Sequence, residues 1–280
     1  MHRERVADDI YVFTSERYAQ VTAGIVLTTD GAVLIDTLLF PEETLALKQY
    51  VETRLRQKVR YVINTHYHAD HTYGTYLFPN ATVIAHAKCA DLLETRGRAA
   101  LAEARVGSTE LAEVEVILPQ VVFNESEFLL TIGDKSFQLT HTPGHSPDSI
   151  CVLVREDRVL FAADTLMAIP FFVDGDYSAF RESLRAIPYQ LLENIVQGHG
   201  EVVLRGEIEG KIRSDLRYLE EVRKHVEIAH SKADPEKYFD GIDLEKFGKS
   251  RILLGGKVRA LHRANLQALY HRLYDHASAG

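Results

Sequence analysis

The feature that most constrains this chain is a cluster of histidines and one aspartate directly after a short apolar run. The apolar run spans residues 61–63, and the cluster spans residues 66–71 with the sequence His-Tyr-His-Ala-Asp-His. An extended strand points alternate side chains to one side, so it places His66 and His68 together, while Asp70 and His71 follow in a turn. A lone histidine is common on a protein surface, but four ligand-type residues after one strand are typical of a metal site. This segment therefore predicts a cradle that can supply two adjacent metal ions.

The size and charge of the chain limit its class. Its 280 residues are 46% hydrophobic, which is sufficient for a sizeable core, and its net charge of -8 argues against nucleic acid or anionic membrane as a partner. The net charge is still compatible with a local basic groove. The amino terminus is charged and lacks an apolar leader, and no apolar run reaches spanning length. We expect a soluble cytoplasmic protein with a small-molecule substrate, and a homodimer is compatible with this.

Strand and helix patterns alternate along the chain in two rounds. Alternating or continuous apolar runs predict strands over residues 10–13, 21–28, 32–35, 59–64, 81–85, 121–140, 150–154, 159–162 and 194–197. Helical spacing predicts helices from Pro41, over 87–104, from Ser178 as the cap, over 208–226 and over 258–273. Residues 106–118 are compatible with a helix or a lid, and residues 232–256 predict an extended loop. No linker separates the two rounds, which favours one two-sheet domain with helices outside.

Three further ligand-type residues follow predicted strands. Pro143 and Gly144 predict a sharp turn that presents His145, and Asp164 ends a nearly continuous apolar strand. His199 lies between two glycines, which allow the backbone to approach closely. Because loops at strand ends often assemble sites, we expect these residues to meet the histidine cluster.

Taken in order, these motifs resemble the metal-binding motifs of the metallo-β-lactamase-fold hydrolases, over roughly residues 10–205. The resemblance implies an α+β fold, the αββα sandwich, in which two mixed sheets pack face to face with helices outside. We assign residues 1–230 to this hydrolase domain and residues 231–280 to a C-terminal loop and helix packed on it. By position, the resemblance implies that His66, His68 and His145 hold one metal, that Asp70, His71 and His199 hold a second, and that Asp164 bridges both.

Two divalent ions define the expected chemistry. Zinc is the expected metal, with manganese and iron as alternatives. Paired ions lower the pKa of a shared water to about 7, so a metal-bridging hydroxide is the expected nucleophile. Asp70 is the expected catalytic residue, which orients the nucleophile and accepts its proton.

The resemblance also restricts the branch of the family. β-Lactamases of this fold typically place cysteine or serine where this chain has Asp164, whereas glyoxalase II enzymes, lactonases and phosphodiesterases place a bridging aspartate. We therefore expect a hydrolase of a small ester, lactone or thioester. The alternatives are a phosphodiesterase or nuclease of the same fold, and a non-catalytic binding protein that the metal stabilises.

The apolar loop after Asp164 is the candidate substrate wall, with burial in the core as an equal alternative. The candidate substrate-binding residues are Met167, Phe171, Phe172 and Tyr177, the last as a hydrogen-bond donor to a carbonyl. The carboxyl-terminal segment also carries a group of basic residues that fits either an anion site, such as one for glutathione, or a solvated helix face, and the second interpretation is preferred. These basic residues are Lys249, Arg251, Lys257, Arg259 and Arg263.

Overall fold

Two β-sheets pack face to face in the computed structural model, which describes residues 1–275. Sheet I has seven strands in chain order, and its first four are antiparallel while the last three join in parallel. The strands of sheet I are β1 (His2–Ala7), β2 (Ile10–Thr14), β3 (Thr22–Thr28), β4 (Gly31–Ile35), β5 (Val59–Ile63), β6 (Thr82–His86) and β7 (Val121–Phe123).

Sheet II has six strands and is also mixed, because one of its pairs is parallel. Its strands are β8 (Glu127–Ile132), β9 (Lys135–His141), β10 (Ile150–Val154), β11 (Val159–Ala163), β12 (Asn194–Gln197) and β13 (Val203–Leu204). Across the sheet they are ordered β13, β12, β11, β10, β9, β8, and β11 pairs with β12 in parallel.

The inner faces of the sheets form one apolar core. Val33 and Ile63 of sheet I belong to the same buried cluster as Val152 and Phe161 of sheet II. The contact is so close that a Cβ on Gly24 would fall 2.0 Å from Cε1 of Phe161. Glycine is therefore required where this phenyl ring lies against strand β3.

Helices cover the outer face of each sheet. The α-helices of residues 1–275 are α1 (Pro41–Thr53), α2 (Ala69–Thr72), α3 (Ala87–Leu92), α4 (Arg98–Gly107), α5 (Tyr177–Ala186), α6 (Arg205–His230), α7 (Pro235–Asp240) and α8 (Val258–Tyr270). Leu47 of α1 packs on sheet I, and Leu184, Val222 and Leu266 from α5, α6 and α8 pack on sheet II. This order of helix, sheet, sheet and helix confirms the predicted αββα sandwich. None of the helices in residues 1–275 combines the length and the apolar character that crossing a membrane requires.

Several local predictions are wrong, each for a physical reason. Strand β1 was missed because its side chains are mostly polar, although it pairs along the edge of sheet I. The cap of α5 is Asp176, whose carboxylate accepts from Ala179 N, and not Ser178. Residues 232–256 are not an extended loop, since they contain α7 and short helical turns.

A buried ion cluster joins α6 to the segment before α8. Asp215 is 1% exposed and accepts from Lys211 Nζ at 2.6 Å and from Lys249 Nζ. Lys211 Nζ also donates to the Met167 carbonyl at 2.6 Å. The cluster therefore fixes the apolar loop after Asp164 to the long helix.

We expect Asp215→Ala to lower the free energy of unfolding by about 3 to 5 kcal/mol, because it leaves two lysines in a buried site without their carboxylate. The matched control is Glu209→Ala on the same helix, which breaks the exposed pair with Arg213 and is expected to cost less than about 1 kcal/mol. Urea denaturation followed by circular dichroism measures both. Equal losses in the two variants would contradict the role assigned to the buried cluster.

Candidate metal centre

Four strand ends bring the sequence-predicted ligands together. The segment after β5 carries His66 and His68, and α2 begins one residue later with Asp70 and His71. His145 follows β9, Asp164 directly follows β11, and His199 follows β12 by two residues. Strands β11 and β12 are parallel, so their carboxyl ends lie at the same edge of sheet II.

The first group of side chains is centred on His68. Its Nδ1 lies 3.1 Å from Nε2 of His66 and 2.9 Å from Nε2 of His145. Asp164 Oδ2 lies 3.2 Å from His145 Nε2, and one atom from each of these four residues falls within 4.8 Å of the others.

The second group consists of Asp70, His71 and His199, again with ligand atoms within 4.8 Å of one another. His199 Nε2 lies 3.3 Å from Asp70 Oδ2. Asp164 reaches this group as well, with Oδ2 at 3.4 Å from His199 Nε2 and Oδ1 at 3.4 Å from His71 Nε2. Asp164 therefore lies between the two groups.

The outward ring nitrogens of His145 and His199 each face a backbone carbonyl. His145 Nδ1 lies 2.7 Å from the Phe171 oxygen, and His199 Nδ1 lies 2.9 Å from the Ala19 oxygen. A carbonyl only accepts, so each Nδ1 carries the proton and donates it. In the neutral ring, Nε2 then holds a lone pair directed into the site.

Asp36 and Thr65 accept hydrogen bonds from the outward ring nitrogens of His71 and His66, respectively. Asp36 Oδ2 accepts from His71 Nδ1 at 2.7 Å and from the Thr65 hydroxyl at 2.7 Å, and Oδ1 accepts from Thr65 N at 2.8 Å. Since the threonine proton goes to Asp36, Thr65 Oγ1 accepts from His66 Nδ1 at 3.1 Å. Asp36 thus directs two imidazole lone pairs inward.

His68 is held from behind by Asp174, whose Oδ2 lies 3.2 Å from His68 Nε2. The same carboxylate accepts from the Tyr67 hydroxyl at 2.7 Å and from Arg96 Nη1 at 3.0 Å. All five inward-facing imidazoles therefore have the outer nitrogen bonded, an arrangement typical of metal-binding histidines because it fixes the tautomer and the ring plane.

The pKa values of the site histidines are shifted in two opposite directions. Burial lowers the pKa of His66 well below its ordinary value and lowers that of His145 to about 4. Burial also opposes charge on His71 and His199, but carboxylates that include Asp164 outweigh it, raising the pKa of His71 well above its ordinary value and that of His199 to about 10. A divalent cation would neutralise the same carboxylates, so these residues fit a metal.

Two inward atoms, His71 Nε2 and Asp164 Oδ1, are buried and have no hydrogen-bond partner among the described residues. Such atoms are costly unless something binds them. Gly198 allows the backbone after β12 to lie close to Asp164, because a Cβ on Gly198 would fall 1.8 Å from Asp164 Oδ1. The glycine before His199 therefore serves the close approach of β12 to Asp164.

A cavity of about 430 Å³ opens on the two groups. Met167 and Phe171 line it, as the sequence suggested for the loop after Asp164. Phe172 and Tyr177 do not, which corrects their assignment to the substrate. Phe172 is fully buried, and the Tyr177 hydroxyl donates to the Leu219 carbonyl at 3.0 Å, so both belong to the core between the loop and α6.

Sequence reasoning missed several residues of this site. Asp36 ends an apolar strand as Asp164 does, and that same signal was available for it. Asp174 had no comparable signal, because only the tertiary fold brings it behind His68. Lys257 lines the cavity together with Tyr18, although the sequence favoured a solvated helix face for the basic residues of this segment.

The comparisons with known proteins agree with this fold. The family model described as the metallo-β-lactamase superfamily matches residues 18–234, and the chain belongs to that superfamily. The thioesterase pkgB of Emericella nidulans is 25% identical over 183 residues, which cover 64% of this chain and 46% of that protein. The hydroxyacylglutathione hydrolase GloC of Haemophilus influenzae is 29% identical over 103 residues, which cover 35% of this chain and 49% of that protein.

The chain thus spans about half the length of these relatives. Among solved structures, the stereoselective inverting sec-alkylsulfatase Pisa1 from Pseudomonas sp. superposes with a TM-score of 0.78 at 16% identity. The match covers 97% of this chain and 50% of that one, so it extends the likeness of fold beyond residue 234 into the carboxyl-terminal helices.

We expect Asp36→Asn to weaken metal binding by about 10- to 100-fold, because an amide offers one acceptor oxygen where the carboxylate uses two. Competition with a chromogenic chelator measures the affinity. The control is Asp30→Asn, which removes an exposed carboxylate paired with Arg60. An affinity unchanged from that of the control would show that Asp36 does not position His71 and His66 for a metal.

Proposed function

We propose that this chain is a dinuclear metal-dependent hydrolase, with zinc as the first candidate and manganese or iron as alternatives. The observation that carries the proposal is that five imidazoles direct a ring nitrogen toward one region that also contains the carboxylates of Asp70 and Asp164. The outer nitrogen of each of these imidazoles is hydrogen-bonded. Imidazole nitrogen and carboxylate oxygen are ligands that zinc favours. The proposed ligands are His66, His68 and His145 for one ion, Asp70, His71 and His199 for the other, and Asp164 for both.

Two such ions supply an acidified water and an electrophile for the substrate carbonyl. Asp70 is the residue that orients the attacking water and accepts its proton. Burial opposes charge on Asp70, but His71 and His199 hold its pKa below the ordinary range, so it is an ionised acceptor at neutral pH. Its Oδ2 lies 3.3 Å from His199 Nε2, so the carboxylate is directed toward the other proposed ligands of the second ion.

Tyr18 is a second residue of the chain that can act on the substrate. It lines the cavity beside Asp70, and the charge of Asp70, together with burial and Asp164, raises its pKa to about 12. The phenol therefore stays protonated at neutral pH and can donate a hydrogen bond to a substrate oxygen. This is the role that the sequence suggested for Tyr177.

The proposed substrate is a small thioester, ester or lactone. Met167, Phe171 and Leu261 give the cavity an apolar wall, which suits an acyl chain better than a nucleotide. Thioesters come first among the three classes because pkgB is named a thioesterase, and the hydrolase GloC is a further relative.

For the domain organisation, we propose residues 1–230 as the hydrolase unit and residues 231–280 as an addition to it, of which residues 276–280 lie outside the described part. A cytoplasmic location and a homodimer stay predictions.

A substrate panel with metal analysis tests the proposal. Protein loaded with zinc, manganese or iron should hold about two ions per chain and hydrolyse members of the thioester, ester or lactone sets. A preference for bis(p-nitrophenyl) phosphate would favour the phosphodiesterase alternative, and one for a secondary alkyl sulfate would favour a sulfatase. Metal-dependent thermal stability without turnover on any set would favour the non-catalytic binding protein.

We expect Asp164→Ala to lose about one of the two ions and to lower kcat/KM by at least about 100-fold, because it removes the carboxylate common to both groups. Inductively coupled plasma spectrometry and the panel assay measure the two effects. The control is Asp8→Ala, since that side chain is 96% exposed. Retention of both ions with full activity would exclude the bridging role.

A further inference from the structure

Lys257 is a cation in the wall of an otherwise apolar and metal-facing cavity. Within residues 1–275, it is the one lysine or arginine that lines this cavity. It is the cap residue directly before α8, and it follows three residues with positive φ, which are Leu254, Gly255 and Gly256 at 49°, 63° and 87°. This unusual turn buries Leu254 in the cavity wall and brings Lys257 beside Tyr18.

Lys257 lacks a carboxylate partner, unlike several other basic side chains of its segment. Lys249 is paired with Asp215 and Arg251 with Glu245. No carboxylate in the described residues lies within 4.0 Å of Lys257, and its Nζ instead lies 4.8 Å from the centre of the Tyr18 ring. The ring supports the ammonium group without neutralising it, so the charge is available to a ligand in the cavity.

A second cavity of about 890 Å³ adjoins the first, and Ala19, Leu254 and Lys257 line both. Four carboxylates line its wall, those of Glu4, Glu16, Glu201 and Glu207, and Glu16 is the one paired with the amino-terminal ammonium.

Arg17 also lines the second cavity, but its guanidinium is already paired with Glu42 at 2.9 Å and with Glu110 at 2.7 Å. A ligand that extends from the metals past Lys257 therefore meets one positive charge and then a negative field.

We propose that Lys257 binds a single anionic group on an apolar thioester or ester, and that the acidic second cavity selects against carriers with several negative charges. The inference rests on the proposed hydrolase function and specifies its substrate. An ammonium group at the rim attracts one carboxylate, while the glutamates beyond it repel a polyphosphate group. The selected substrate is thus monoanionic and mostly apolar.

Matched substrate pairs that differ by one charge test the role of Lys257. One pair is S-benzyl monothiosuccinate and its methyl ester, with the charge on the acyl side. The other is para-(acetylthiomethyl)benzoate and its methyl ester, with the charge on the leaving group. For at least one pair, we expect the zinc-loaded enzyme to prefer the anion by about tenfold in kcat/KM, mainly through KM. This preference should shrink as salt is added.

The variants isolate the charge. We expect Lys257→Met to abolish the anion preference and Lys257→Arg to keep it. The control is Arg259→Met on the same helix, because Arg259 is exposed and lines a different cavity. Wild-type enzyme without a preference in either pair, or Lys257→Met with the preference intact, would overturn the inference.

A binding measurement separates this inference from the hydrolase proposal. Calorimetry with phenylbutanesulfonate, a poor metal ligand, should show tighter binding to the zinc-loaded wild type than to Lys257→Met even if no ester or thioester is cleaved. Equal affinities would overturn the anion site, whereas loss of turnover alone would count against the hydrolase function.

The acidic cavity has its own test. Octanoyl-N-acetylcysteamine should show a higher kcat/KM than octanoyl-coenzyme A, and Glu201→Gln should narrow the difference. A clear preference for the coenzyme A thioester would overturn the exclusion of polyanionic carriers.

Discussion

A buried carboxylate surrounded by imidazoles is the interaction on which the site depends. Asp164 is 3% exposed, and its oxygens lie within 4.0 Å of nitrogens from His66, His71, His145 and His199. Such a charge is stable in a protein interior only with opposite charge or a metal to compensate it. The buried carboxylate therefore depends on three other features of the site. These are the hydrogen bonds that fix the outer nitrogens of the histidines, the lack of a side chain at Gly198, and the strand ends that carry the ligand residues.

Much of the fold could be predicted because burial leaves a simple trace in the sequence. Strands such as β4 and β11 are buried nearly throughout, and their continuous apolar runs are easily read. Strand β1 has no such trace, since it lies at an edge and is held by backbone pairing that any residue can supply. The cap of α5 was misplaced because Asp176 and Ser178 both suit that position, and only the backbone conformation distinguishes them.

The site was predictable to the extent that its residues follow strand ends. The inward-facing histidines and aspartates do so, and the structure brings them together. The groups behind them depend on contacts distant in sequence, such as that between Asp174 and His68, so a single sequence does not reveal them. The loop after Asp164 shows a second limit. Phe171 and Phe172 are neighbours, yet one faces the cavity and the other the core, and composition cannot distinguish two faces of an irregular loop.

The residues of the candidate metal centre come from both sheets. His66 to His71 follow a strand of sheet I, whereas His145, Asp164 and His199 follow strands of sheet II. Ions held as proposed would therefore connect the two sheets at one edge of the sandwich, and their binding free energy would add to the free energy of unfolding. At free metal a thousandfold above the dissociation constant, this linkage is worth about 4 kcal/mol. The stability of the protein would then follow the metal supply of its surroundings, and a chelator would lower the free energy of unfolding without removing any contact of the apolar core.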